Sequence, residues 1–404
     1  MSTPHLIIRR AQLRRQQGLR DIAIYDGRIA AITEHIDGTA AATSVAYEID
    51  ANGGLVTESF VDPHLHLCKV YTLMRMDTGA VGDYHGEGMG KAMSAIEAAA
   101  RVKADYHESW IYDNVKRNLD LALKYGNTHK RALVDVDSKA KLEGIKAVIR
   151  AREAFKGRVD LQVVAFAQDG IVREAGAAEL MRQAMEMGAD VVGGIPWLEY
   201  TAEDRAEHVK FCFDLAQEFN ADVSFLVDDV GDAESRTIEE MAVAAIKRGW
   251  QGRVLAHHAR AMALYSPPYM QKLIALLKKA DLSVVTDPHT GPLHARVKEL
   301  LAAGVNVCLG QDDVSDSYYP FGRNNMLEVA FLAAHLLWMT TLPEMETLYD
   351  MITHRAAKAM GLTGYGLKVG NAADLVVLDA PNVLEALREH AAPKWVIRNG
   401  VVIG

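Results

Sequence analysis

Apolar residues in this chain fall into short runs separated by polar, turn-forming clusters. Near the beginning, Leu6-Ile7-Ile8, Asp21-Ile22-Ala23-Ile24 and Ile29-Ala30-Ala31-Ile32 are β-rich, and Asp26-Gly27 is a hairpin turn signal between the last two. The far end has the same character: Ala373 to Leu378 and Trp395-Val396-Ile397 read as strands, with the Asn399-Gly400 turn before Val401-Val402-Ile403. Between these ends, short apolar strands alternate with helical stretches, the signature of parallel α/β construction. Eight strands are predicted, over 59–61, 132–136, 161–166, 191–195, 223–227, 254–256, 282–285 and 305–309. Amphipathic helices fit between them, for example Lys139 to Glu153, Ala177 to Met187 and Ile238 to Arg248, and the alanine-rich Ala92 to Ala100 reads as a tightly packed helix. Eight βα units over about 300 residues predict a (β/α)8 TIM barrel. A doubly wound open sheet is the alternative, but the glycine-rich dinucleotide fingerprint is absent. The two β-rich ends are expected to form one small β-sandwich, from residues 1–58 and 361–404, around a barrel over 59–360.

In a barrel, the residues just past the strand C-termini line the active site. Those positions carry His64 and His66, Asp135 and Asp137, Gln168 and Asp169, Trp197 and Glu199, Asp228 and Asp229, His257 and His258, Asp287 and His289, and Asp312 and Asp313. The most informative stretch is Phe60-Val61-Asp62-Pro63-His64-Leu65-His66. Two histidines at i and i+2 on a strand share one face, so both imidazoles can reach one metal ion. A strand His-x-His is also common as plain structure; the β-rich segment and apolar strand before it favour the metal reading here.

Composition narrows the field without adding chemistry. The chain has 404 residues, 50% of them hydrophobic and 24% charged, with 44 basic against 53 acidic side chains for a net charge of −9. A disordered chain is excluded, and without a Lys/Arg-rich run nucleic acid is not an expected partner. No window holds about 18 uninterrupted apolar residues, so no membrane span is expected. Met1 to Arg10 lacks a signal-peptide layout, and three scattered cysteines, Cys68, Cys212 and Cys308, suit a reduced, cytoplasmic protein. The one mild excess is histidine, at 15.

At this point the residues reach a family. The chain resembles the amidohydrolase superfamily, specifically the branch of cytosine deaminase and the isopropylammelide amidohydrolases. The likeness runs through Phe60 to His66, Leu161 to Gly170, Ala189 to Pro196, Gly310-Gln311-Asp312-Asp313-Val314, Tyr319-Pro320-Phe321-Gly322 with Asn325-Met326-Leu327, and Gly370 to Val376. The resemblance implies one divalent metal, zinc or iron, held by His64, His66 and Asp312 together with a histidine on strand five. It implies that Asp312 accepts the proton of the attacking water, that His258 orients that water, and that Gln168 pins a ring amide. It also implies a small cyclic substrate, pyrimidine- or triazine-like, that loses ammonia or an N-alkylamine, and a homo-oligomer.

The pattern is broken at strand five. Aligned with the family, Leu226 stands where the histidine ligand should be, and the proton-shuttling glutamate becomes Asp229. A strand-two histidine is replaced by Leu133 and an aspartate after His-x-His by Cys68. Asp228, two residues past Leu226 and so on the same strand face, is a substitute ligand by chemistry. Three readings stay open: a metal site completed by water, His258 or Asp228; different, metal-free chemistry; and a catalytically silent ligand-binding relative. Trp197 is expected to stack on a planar ring or pack, Tyr318, Tyr319 and Asp313 to shape the substrate pocket, and His289 and His294 to sit on a substrate loop. Lys69 reads as a solvated loop residue or an anion-binding one, and Cys68 as an alternative soft ligand.

Overall fold

The structure is a computed structural model that describes residues 5–36, 47–76 and 101–404. The alanine-rich segment Ala92 to Ala100 lies outside the described residues. Strands β1 (Leu6–Ala11), β2 (Arg20–Tyr25), β3 (Arg28–Glu34) and β4 (Tyr47–Asp50) form one four-stranded sheet in the order β3-β2-β1-β4. After β5 (Val56–Glu58) come the strands that make the barrel: β6 (Phe60–Leu65), β7 (Asn127–Asp135), β8 (Asp160–Ala167), β9 (Val191–Gly194), β10 (Asp222–Val227), β11 (Val254–His258), β12 (Ser283–Thr286) and β13 (Val307–Leu309). These eight lie side by side in sequence order, every pair parallel. The chain then returns to β14 (Leu375–Val377), β15 (Trp395–Arg398) and β16 (Val401–Val402), which pair with β5 in the order β16-β15-β14-β5. The two small sheets bury Leu6, Ile8, Ile22, Ile24, Val56, Leu375, Val377 and Ile397 in one core. The predicted barrel and the sandwich built from both ends are therefore both present.

Each connection carries the amphipathic helix the pattern called for. Helices α1 (Glu108–Lys124), α2 (Glu143–Ala154), α3 (Ala177–Glu186), α4 (Ala202–Phe219), α5 (Thr237–Arg248), α6 (Pro267–Lys279) and α7 (Val297–Ala302) alternate with the strands. Their apolar stripes, such as Ile145, Val148 and Ala151 on α2, pack on the outward strand residues Ala132, Val134, Val163 and Ala165. The inward-facing positions of the same strands, Leu133, Val164, Phe166, Val191 and Leu226, form a separate cluster inside the barrel. That alternation sends odd-numbered β7 side chains inward, and it is why Asp135 ends up at the barrel mouth.

The barrel closes at the residues of greatest chemical interest. His66 N donates to Asp312 O and Asp312 N to His64 O, both at 2.8 Å, and Leu65 bridges Asp312 in parallel. Gly310 makes this approach feasible, because a Cβ there would lie 2.7 Å from His64 Cβ. Asp62, buried beneath the closure, accepts from Gln311 N and is paired with Lys130 at 2.6 Å.

Candidate active site

His64 and His66 point from the end of β6 into the barrel, and Asp312 faces them from the turn after β13. His64 Nε2 lies 3.4 Å from His66 Nε2 and 3.3 Å from Asp312 Oδ1, while His66 Nε2 is 3.7 Å from the same oxygen. Ligands about 2.0–2.1 Å from one tetrahedral ion stand about 3.3–3.4 Å apart, so these three atoms mark one face of such a shell. His258 Nε2 is 3.9 Å from Asp312 Oδ1. His64, His258, Asp287 and Asp312 together, and His66 with Asp312 and Asp313, each place donor atoms within 4.8 Å of one another. The donor set suits a divalent metal: three side chains from the protein and an open position, the composition of catalytic sites.

Electrostatics prepares the donors. Burial holds the His64 imidazole down to about 4 and His66 well below the usual range, the latter also opposed by Lys69, so both are neutral with a free lone pair near neutral pH. The Asp312 carboxyl is resisted by burial, but His258, His64 and His66 outweigh it and hold it well below the ordinary range. His258 is the opposite case. Burial disfavours its charge, yet Asp287, Asp229 and Asp312 raise it to about 9. Its Nδ1 is 2.6 Å from Asp287 Oδ2, which fixes the ring with Nε2 toward Asp312. Asp312 and His258 both adopt left-handed backbone, with φ of 67° and 65°. Such conformations cost energy for residues with a Cβ and gather at functional sites.

Beside this cluster lies a cavity lined by His66, Lys69, Gln168, Ile195, Trp197, Leu226, Asp229, His258, Arg260, Asp312, Asp313 and Tyr318. Gln168, Trp197, Asp229 and Asp313 thus line the same space as His66, His258 and Asp312. Leu226 packs with Ile195, Trp197 and Tyr318, giving the cavity an apolar wall. Asp229 Oδ1 is held 2.6 Å from Arg260 Nε. Asp313 is pushed well above the carboxylate range by burial and by the neighbouring Asp312 and Asp316.

Several expectations need correction. Asp228 does not reach the cluster. It adopts left-handed backbone (φ 51°) that turns its carboxylate outward, where it accepts from Thr237 N at 2.7 Å, Ile238 N at 3.0 Å and Ser235 Oγ at 2.8 Å. It satisfies the amides at the start of α5 that have no partner within the helix. Strand alternation fails as a guide there because the strand ends at Val227. Cys68 is likewise no ligand: its Sγ accepts from Asp135 N, and burial pushes the thiol up to about 12. Lys69 is not solvated but buried at 3% exposure in the cavity wall. His289 bonds Gln311 O at 3.2 Å, and His294 bonds Ala295 O. Tyr318 lines the cavity, whereas Tyr319 stacks edge-on against His289. Arg260 escaped the sequence reading; its signal was an arginine two residues after His258 on an otherwise apolar turn.

Comparison with known proteins places the chain. The model of the amidohydrolase family matches residues 47–403. This chain belongs to the amidohydrolase family. It is 33% identical over 407 residues to N-isopropylammelide isopropyl amidohydrolase of Pseudomonas sp. (strain ADP), covering 98% of this chain and 96% of the relative. Among solved structures, 5-methylcytosine deaminase from Klebsiella pneumoniae superposes with a TM-score of 0.90 at 32% identity, covering 98% of each chain. N-isopropylammelide isopropylaminohydrolase from Burkholderia multivorans gives 0.86 at 27%, covering 98% of this chain and 97% of the other. Amidohydrolase membership with such relatives makes the protein a hydrolase acting on C–N bonds. No helix among the described residues is long and apolar enough to cross a membrane.

Proposed function

We propose that this amidohydrolase cleaves the exocyclic C–N bond of a small planar cyclic amidine, pyrimidine- or triazine-like, and releases ammonia. One observation carries the reading: three donor atoms stand 3.3–3.7 Å apart beside a cavity whose lining also holds an amide and carboxylates. His64, His66 and Asp312 would hold one divalent ion, zinc or iron, both of which imidazole suits. Bound there, the ion supplies Lewis acidity and lowers the pKa of water toward about 7. Asp312 accepts the proton that the attacking water gives up. His258, held by Asp287, donates a hydrogen bond from Nε2 to the reacting centre. Asp229, held by Arg260 through one oxygen, passes the proton to the departing nitrogen. Gln168 binds the ring edge, and Trp197 with Leu226 and Ile195 excludes water around it.

A second reading, release of an N-alkylamine, is favoured by the 33% identity to the isopropylammelide enzyme and by the apolar wall at Leu226, which an alkyl group would fit. The three buried free cysteines support a reducing, cytoplasmic setting. Exposed Leu336, Trp338 and Leu342, at 50%, 76% and 63%, support self-association. A release assay over aminopyrimidines, aminotriazines and their N-alkyl derivatives tests the reaction. Ammonia from the primary amines is expected, and no amine from any member overturns the reading.

A further inference from the structure

Gln168 carries a terminal amide whose two ends ask opposite things of a ligand. Its oxygen accepts and its nitrogen donates, so an amide free to flip would serve either an oxo or an amino group on a ring. Here it is not free. Lys69 Nζ lies 2.5 Å from Gln168 Oε1. An ammonium has donors and no acceptor, so only the amide oxygen can face it; a flip would set two donors against each other.

Lys69 cannot swing aside to allow that flip. It is buried, its Nζ stands 3.3 Å from Asp135 Oδ1, and its ammonium lies 5.1 Å from the centre of the Tyr318 ring. Asp135 is itself fully buried and braced from the other side by Lys103 at 3.5 Å. Lys103 in turn is anchored to Asp137 and Asp169, each at 2.9 Å. A chain of buried ion pairs therefore ends on the oxygen of one cavity amide. Gln168 Nε2 has no protein partner among the described residues, and Gln168 lines the cavity.

We propose that Lys69 sets the substrate class by locking Gln168 with its N–H toward the ring. The cavity then takes azines that present a ring oxo group, a hydrogen-bond acceptor, at that edge. It rejects the matching azines that present an amino group. Lys69 acts here as a positioning residue. The inference rests on the proposed reading that the cavity holds a heterocyclic ring, but not on the ring being hydrolysed.

Equilibrium binding of two probes, 2-pyrimidinone and 2-aminopyrimidine, tests it by calorimetry on chelator-stripped protein, in which the proposed amine release cannot turn over the amino probe. Both are measured in each protein, so a general change in the cavity cancels in the ratio. The natural protein is expected to prefer the oxo probe by about 10²-fold or more, as sites that bond a defined group do. In Lys69→Met the preference should fall to within about tenfold. In Gln168→Glu, which keeps Lys69 paired but leaves only acceptors, the oxo probe should lose at least about 10²-fold while the amino probe does not. Gln168→Glu carries the test if Lys69→Met fails to fold. Equal affinity for the probes in the natural protein, no binding of either, or a preference unchanged in both variants would overturn the proposal. Loss of ammonia release from 4-aminopyrimidin-2-one with the binding preference intact would instead refute hydrolysis and leave the role of Lys69 standing.

Discussion

Replacing Asp228 by alanine separates two readings of the same residue, metal ligand and helix cap. Its carboxylate accepts from the buried amides of Thr237 and Ile238 at 2.7 and 3.0 Å, from Thr237 Oγ1 and Ser235 Oγ at 2.8 Å, and from Tyr265 Oη at 3.3 Å. Truncation leaves two backbone N–H groups without an acceptor, each costing about 1–3 kcal/mol when buried. Losing a cap of this kind accounts for about 0.5–2 kcal/mol in ordinary helices, and full burial puts the present case above that. The expected loss is about 3–5 kcal/mol, with Asp228→Asn intermediate because one acceptor oxygen survives. The assay is thermal and urea unfolding of the zinc-loaded protein, alongside metal analysis of the folded fraction. Asp228→Ala should unfold at clearly lower temperature and denaturant while retaining its metal. A variant that loses metal at unchanged Tm would refute the reasoning and restore Asp228 to the metal site.

Other outcomes follow from the same geometry. Leu226→His places an imidazole at the apolar wall of the cluster and should tighten zinc binding by about tenfold or more, equivalent to about 1.4 kcal/mol, read by competition with a chelator. Asp287→Asn removes the charge that holds His258 Nδ1 at 2.6 Å; kcat should fall by about 10²-fold with KM little changed. Glu199 accepts from the amides of Ile171, Val172 and Arg173 and fixes the loop that follows Gln168. Glu199→Ala should therefore raise KM more than it lowers kcat. Away from the site, Glu58 and His354 pair at 2.9 Å between β5 and the helix Ala359 ends. Burial resists the Glu58 charge, but the bond to His354 lowers its pKa below 4.5, and the same bond raises His354 above 6.5. The Glu58 contribution is present above pH 4.5 and fades as pH falls through its lowered value. The His354 contribution is full below 6.5 and fades as pH rises through its raised value. The Tm difference between natural protein and His354→Gln should peak at pH 5–6 and shrink toward pH 9, reflecting about 0.5–1 kcal/mol after solvent screening of the half-exposed imidazole.

Much of this was legible in the chain because the relevant signals are local. Each of the eight predicted barrel strands overlaps an observed one, since a buried parallel strand flanked by an amphipathic helix has a strong pattern. His64 and His66 could be paired from strand alternation alone, and their meeting with Asp312 follows from the barrel closing β13 onto β6. What failed was geometry past the strand ends. Asp228 lies two residues after Leu226, yet the left-handed turn between strand and loop aims it at α5 instead of at His64, His66 and Asp312. Lys69 looked like a loop lysine because its partners, Asp135 and Gln168, come from strand ends 66 and 99 residues away. Arg260 was invisible for the same reason: its meaning depends on Asp229 and Asp287, on neighbouring strand ends.

The central claim is that His64, His66 and Asp312 hold a single ion on which amine release depends, despite the leucine at position 226. Zinc titration of chelator-stripped protein, with ammonia release from an aminopyrimidine followed at each step, tests it most directly. Activity should rise in proportion to bound zinc and level off at about one ion per chain, and His64→Ala should abolish both the binding and the activity. Full activity in protein stripped to well under a tenth of an ion per chain, or undiminished zinc binding in His64→Ala, would contradict the account.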